Sequence, residues 1–265
     1  MKTCRYVVLD PTGNLTALVL DPVLPEEEAF LTNELLKVSE QVAYLEKPAL
    51  PGAAAAIRLM GGEFCGNAAM AAAAWLLRDQ LSERQESAIL LQVSGAKEPV
   101  PCRVQALGGL FRGTVRMPAV LGVRGEEYCG RCFTAVRMEG ILHLIDPAGI
   151  PDPAEAEALL RRIVARLPDE AVGLMRWDRE TGTLTPLVYV RGSGSLVWEH
   201  GCGSGSAAVG ACEALLRGDG TTVTEVRQPG GTITVSAEVR SGAVAGISIA
   251  GLIRFGAEQV IRIPS

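Results

Sequence analysis

The sequence has no apolar run long enough to cross a bilayer. Its longest, Ala68 to Leu77, falls well short of the roughly 20 residues that a spanning helix needs. The opening residues, Met1-Lys2-Thr3-Cys4-Arg5-Tyr6, carry no apolar stretch of the kind found in signal peptides. There is no basic excess. The formal charge is −5, which argues against a nucleic acid held by phosphate contacts. No glycine fingerprint for a dinucleotide and no P-loop is present. Seven cysteines, an odd number in a chain without a secretion signal, do not suggest a disulfide framework. These absences predict a soluble, cytoplasmic protein that binds neither nucleic acid nor membrane.

What is present is a chain of 265 residues, 48% apolar, enough for a sizeable core in one large domain or two medium ones. The pattern predicts a strand over Tyr6 to Asp10, a turn at Pro11 to Asn14, and a second strand over Leu15 to Leu20. Glu26 to Glu40 has helical spacing, with Leu31, Leu35 and Val38 on one side. Strands are expected at Val42 to Leu45 and Ala55 to Leu59. After them, Cys65-Gly66-Asn67 opens a nearly uncharged, alanine-rich helix that must be buried. Ala88 to Val93, Val100 to Val104 and Arg112 to Arg116 read as strands.

The second half repeats the order. Strands at Cys132 to Arg137 and Ile141 to Ile145 precede a charged helix, Pro153 to Ala165, and strands at Val172 to Arg176 and Leu184 to Val190. A glycine-rich turn at Gly192-Ser193-Gly194 leads to Leu196-Val197-Trp198. Cys202-Gly203-Ser204-Gly205 then opens another small-residue helix, and short strands are expected to close the chain.

The repeated Cys-Gly helix entry is the chief functional signal. A cysteine at a helix N-terminus meets unpaired N–H groups and the positive end of the dipole. This is expected to draw a thiol pKa from about 8.5 towards neutrality. A thiol so poised serves as base when ionised and acid when protonated. Facing Cys65 and Cys202 across a small amino acid would let one remove the α-proton and the other return a proton to the opposite face. N–H groups at the helix ends would hold the α-carboxylate and stabilise the carbanion. That chemistry asks for no cofactor and no metal.

Other residues have milder readings. Glu199 is a candidate ligand for a substrate ammonium, or a carboxylate favoured by the helix dipole. His200 could tune Cys202 or simply be solvated. Cys129 and Cys132 form a Cys-x-x-Cys, but no second pair stands at useful spacing, and His143 and His200 are the only histidines. Cys4, Cys102 and Cys212 read as ordinary core or surface thiols.

At Phe64-Cys65-Gly66-Asn67-Ala68-Ala69 and Gly201-Cys202-Gly203-Ser204-Gly205-Ser206 the sequence resembles the diaminopimelate epimerase superfamily. Gly13-Asn14 is similar to its N-terminal Gly-Asn, Glu40-Gln41-Val42 to its Asp-Gln-Val, and Gly251 to Ile263 to its closing segment. The resemblance implies an α/β (α+β) fold of two pseudo-symmetric domains, each a curved, mostly antiparallel sheet wrapped around a buried central helix. Expected boundaries are 1–116 plus about 253–265 for the first domain and 117–252 for the second. It also implies a homodimer, and substrate contacts from Asn14, Gln41, Gly66, Asn67, Glu199, Gly203 and Ser204.

The chain departs from diaminopimelate epimerases where they bind a second amino-acid head. Only three asparagines occur, and Met60 stands where an asparagine is expected. Trp198-Glu199-His200-Gly201-Cys202 is closer to the histidine racemases of opine-metallophore biosynthesis. The reading is therefore a cofactor-independent amino-acid racemase, histidine being the first substrate to try. The alternatives are a diaminopimelate epimerase, a phenazine-biosynthesis-like isomerase, and a non-catalytic module that binds an amino acid or anion.

Overall fold

A computed structural model describes residues 2–150, 152–192 and 194–264. The chain divides into two compact units, one made of residues 1–116 and 250–265, the other of 117–249.

Unit 1 contains β1 (Lys2–Pro11), β2 (Thr16–Val19), α1 (Pro25–Leu35), β3 (Gln41–Glu46), β4 (Ala55–Leu59), α2 (Gly66–Leu77), β5 (Glu86–Val93), β6 (Val100–Leu107) and β7 (Leu110–Arg116). The strands lie in chain order. The last strand of the chain, β16 (Ala243–Ile263), pairs with both β7 and β1 and closes the sheet. Most pairs are antiparallel. The two parallel pairs, β2 with β3 and β4 with β5, are bridged by α1 and α2, since a tight hairpin cannot join parallel strands.

α2 is the centre of this unit. Ala68, Ala69 and Ala71 to Ala74 are all at most 1% exposed, so the helix is enclosed on every side. Alanine is the best helix former and lets strands approach closely. The tightest approach is at Gly113 on β7, where a Cβ would lie 2.8 Å from Met70 Cβ and 2.6 Å from Ile253 Cδ1.

Unit 2 contains β8 (Val120–Tyr128), β9 (Arg131–Met138), β10 (Ile141–Asp146), α3 (Pro153–Val164), β11 (Ala171–Asp178), β12 (Thr183–Val190), β13 (Ser195–Trp198), α4 (Gly203–Arg217), β14 (Gly220–Gln228) and β15 (Gly231–Arg240). The strand order is β8-β9-β10-β11-β12-β14-β15-β16, with β13 added beside β12. Again the parallel pairs, β10 with β11 and β12 with β14, are those with a helix between them in sequence. β10 and β11 alternate faces. Leu142, Leu144, Val172 and Leu174 form a core with Leu159, Leu160 and Ile163 of α3, while Gly173 and Met175 point to α4. Among the described residues no helix is long and apolar enough to cross a membrane.

Three sequence expectations need correction. The first helix ends at Leu35, and Val38 is exposed. The chain turns there, with Ser39 Oγ donating to the Leu35 carbonyl at 2.8 Å. β8 escaped notice because it is largely exposed and has no clean alternation. The closing strands are long, not short, β16 running for 21 residues. The glycines that look like breaks mark close approaches: a Cβ on Gly251 would lie 2.5 Å from Thr12 Oγ1. The turn read at Gly192-Ser193-Gly194 includes Ser193, which lies outside the described residues.

Candidate active site

In unit 1 the loop from β4 delivers Cys65 as the N-cap of α2, with extended backbone (φ −132°, ψ 113°). Ser94 Oγ fixes that loop, accepting from Leu59 N–H at 2.9 Å and donating to the Glu63 carbonyl at 2.7 Å. Cys65 Sγ faces the Ala68 N–H at 3.5 Å and Gln41 Nε2 at 3.3 Å. The same Gln41 nitrogen lies 2.6 Å from Asn14 Oδ1 and 2.8 Å from Thr16 Oγ1. Asn14 Nδ2 donates to Glu40 Oε2 at 3.1 Å. Asn14, Thr16 and Gln41 are buried. The fold thus brings together Asn14, Gln41 and Cys65. Thr16 and Glu40 join them without having been singled out. The Cys65 thiol also points at Asn14 Oδ1, 3.9 Å away.

In unit 2 Cys202 caps α4 in the same manner (φ −98°, ψ 106°). Its Sγ accepts the Gly205 N–H at 3.3 Å and lies 3.7 Å from Ser204 Oγ. A ring of bonds holds its backbone. Cys202 N–H donates to Gln228 Oε1 at 2.7 Å, Gln228 Nε2 to Ser206 Oγ at 2.8 Å, and Ser206 Oγ to the Cys202 carbonyl at 2.7 Å.

The expected lowering of the thiol pKa does not hold for Cys202. Burial pushes it well above the usual range, and the charge of Glu199 and a hydrogen bond to that side chain push the same way. The Gly205 N–H and Ser204 oppose this and lose. Only 3% of Cys202 is exposed, so desolvation of a thiolate outweighs the helix terminus. The Glu199 side chain thus lies within hydrogen-bond reach of the thiol. His200 is exposed, and its carbonyl accepts the Gly230 N–H at 2.8 Å.

Gly66 and Asn67 open α2 and are buried. Gly203 and Ser204 open α4, the first buried and the second half-buried. These first-turn positions lie where helix N–H groups lack intrahelical partners. Behind Cys202 stands a group not anticipated at the site. A Cβ on Gly205 would lie 2.5 Å from Met175 Sδ, and a Cβ on Gly173 would lie 2.4 Å from both Met175 Cε and His143 Nδ1. His143 is fully buried, neither ring nitrogen has a hydrogen-bond partner, and burial holds its pKa down to about 3.

The remaining cysteines lie elsewhere. Cys129 and Cys132 are exposed free thiols flanking the β8–β9 turn. Cys4 and Cys102 are buried, and burial pushes Cys102 up to about 12. Cys212 is half-buried. Among the described residues no cluster of three or more His, Cys, Asp or Glu side chains is arranged to hold a metal.

Two sheets wrapped around small-residue helices, each helix entered through a capping thiol, define the class: this protein is an isomerase of the amino-acid racemase and epimerase type. The family model described as the histidine racemase CntK N-terminal domain matches residues 3–261, and the chain belongs to that family. A histidine racemase from Staphylococcus aureus is 27% identical over 249 residues, covering 89% of each chain. Another, from Fusobacterium nucleatum subsp. nucleatum, is 28% identical over 221 residues, covering 79% of this chain and 80% of its own. Among solved structures, a hydroxyproline epimerase from Agrobacterium vitis superposes with a TM-score of 0.67 at 15% identity, over 98% of this chain and 92% of that one. A protein described as a predicted epimerase from Pseudomonas aeruginosa gives 0.71 at 17% identity, over 98% and 100%.

Proposed function

We propose that this chain racemises histidine by two-base proton transfer between Cys65 and Cys202. The observation that carries the reading is the equivalent placement of two thiols, each capping the small-residue helix of its own unit. Cys202 is buried beside the Glu199 carboxylate, which favours a thiol. In one direction Cys65 is the base and Cys202 the acid. The Cys65 thiolate takes the α-proton, and the Cys202 thiol gives its proton to the other face of the carbanion. The roles exchange for the opposite enantiomer. First-turn N–H groups at Gly66, Asn67, Gly203 and Ser204 suit the substrate carboxylate, whose charge grows as the α-proton leaves. Both relatives named histidine racemase support histidine as the substrate. The scarcity of asparagine argues against diaminopimelate.

The test is exchange at Cα in deuterated water with reduced protein. Both enantiomers of histidine are expected to acquire deuterium and interconvert. The other common amino acids and diaminopimelate are the comparison. Exchange faster on any of these would overturn the substrate. Exchange on none would leave a binding module in place of an enzyme. Cys65→Ala and Cys202→Ala should each abolish racemisation, and full activity in either would reject the two-base mechanism.

A further inference from the structure

Unit 2 holds a cleft of about 320 Å³ on the α3 face of its sheet, away from α4 and Cys202. That volume is at the small end of the range for small-ligand sites, about 300–1,000 Å³. Its apolar lining is built from Leu174, Ile150, Pro153, Ala156 and the indole of Trp198. Its polar lining is Asp146, Arg176 and Thr185, the last two directly opposite each other on β11 and β12 and so on one face.

Arg176 is set in place. Its stem packs on Gly149, where a Cβ would lie 2.6 Å from Nε and 2.8 Å from Cδ, and Gly149 has a φ of +66° that suits glycine. Yet Arg176 forms no ion pair or hydrogen bond among the described residues. The acids around it are otherwise engaged. Asp146 takes Arg131 Nε at 2.8 Å on one oxygen and the Ala148 and Gly149 N–H groups, both at 3.1 Å, on the other. Asp152 caps α3 through the Ala154 N–H, and Glu157 accepts the Trp198 indole N–H at 2.9 Å. Asp178, two residues along β11, feels the charge of Arg176 but accepts from turn amides.

We propose that this cleft binds a small monocarboxylate with an apolar or aromatic body and no ammonium group. The carboxylate would meet the guanidinium and the Thr185 hydroxyl, a match of planar donor to planar acceptor. The body would lie against Trp198 and Leu174. An α-ammonium finds no free carboxylate there, since Asp146 is held by Arg131 and two N–H groups, so the site selects against the amino acids handled at the cysteines.

Calorimetric titration of the full chain with 3-phenylpropionate tests this. One site per chain with a dissociation constant below about 1 mM is expected. The neutral analogue 3-phenyl-1-propanol, and the charged ligand on Arg176→Gln, should each bind at least about tenfold more weakly. Arg176→Lys should recover part of the loss. Excess histidine should not compete. No saturable binding, equal binding of acid and alcohol, undiminished binding to R176Q, or competition by histidine would each overturn the proposal. The comparison of acid with alcohol is made on the unaltered protein and stands whether or not the variants fold.

Discussion

The carboxamide nitrogen of Gln41 lies 3.3 Å from the sulfur of Cys65, while its contacts with Asn14 and Thr16 fix the direction of approach. A hydrogen bond contributes roughly 0.5–1.5 kcal/mol. Gln41→Leu is therefore expected to slow alkylation of Cys65 by iodoacetamide at fixed pH by up to about tenfold. Racemisation should fall in step. Mass spectrometry of the labelled protein gives the rate at each thiol, and an unchanged Cys65 rate would remove the glutamine from the mechanism.

Cys202 should label more slowly than Cys65 in the native chain, because burial and Glu199 hold it protonated. Glu199→Gln takes away the negative charge that opposes the thiolate. The thiolate fraction rises, and labelling of Cys202 should accelerate even as racemisation drops. The same experiment reads both effects. Slower labelling in E199Q would mean that the carboxylate serves as a base towards Cys202.

His143 predicts a pH dependence of stability. Its pKa is held down to about 3 in the folded chain, against about 6.5 when unfolded. Between those values the unfolded chain binds the extra proton. Stability is thus complete above pH 6.5 and falls as pH drops towards 3, with a slope of up to about 1.4 kcal/mol per unit. His143→Leu should flatten this slope. By removing two unpartnered nitrogens it should also raise stability at neutral pH by roughly 1–2 kcal/mol. Urea unfolding at several pH values checks both, and parallel curves for the two proteins would contradict the assignment.

Two glycine substitutions should separate close packing from open space. Gly113→Ala drives a methyl into Ile253 and Met70, which should cost about 1–3 kcal/mol. Gly125→Ala on β8 meets nothing within 4 Å and should change stability by no more than about 0.5 kcal/mol. Thermal unfolding of both variants makes the comparison.

The parts of this protein legible in sequence were those with local signatures. A thiol before glycine and a run of small residues identify α2 and α4, because an enclosed helix tolerates little else. The groups around the thiols were harder to read. Gln228 and His143 reach the site through strand pairing across the chain, and nothing near them in sequence marks them. Tertiary burial also reversed a local rule at Cys202, where desolvation outweighs the helix dipole that the motif alone brings to mind. In β16, Gly251 and Gly256 suggest interruptions. They are places where Thr12 and the Val8 carbonyl come too close for a side chain.

The pairing of β1 with the end of β16, from Lys2 with Ile263 to Pro11 with Ile253, has a consequence for biosynthesis. Domains ordinarily complete themselves from the N-terminus as they leave the ribosome. Here all of 117–249 emerges before the strand that finishes unit 1. Until residues 253–263 emerge, β1 carries an unpaired edge, the kind of surface that recruits other chains. A chain cut before residue 253 would hold every strand of unit 2 and leave the domain of Cys65 open, so the housing of the first thiol waits on the synthesis of the second.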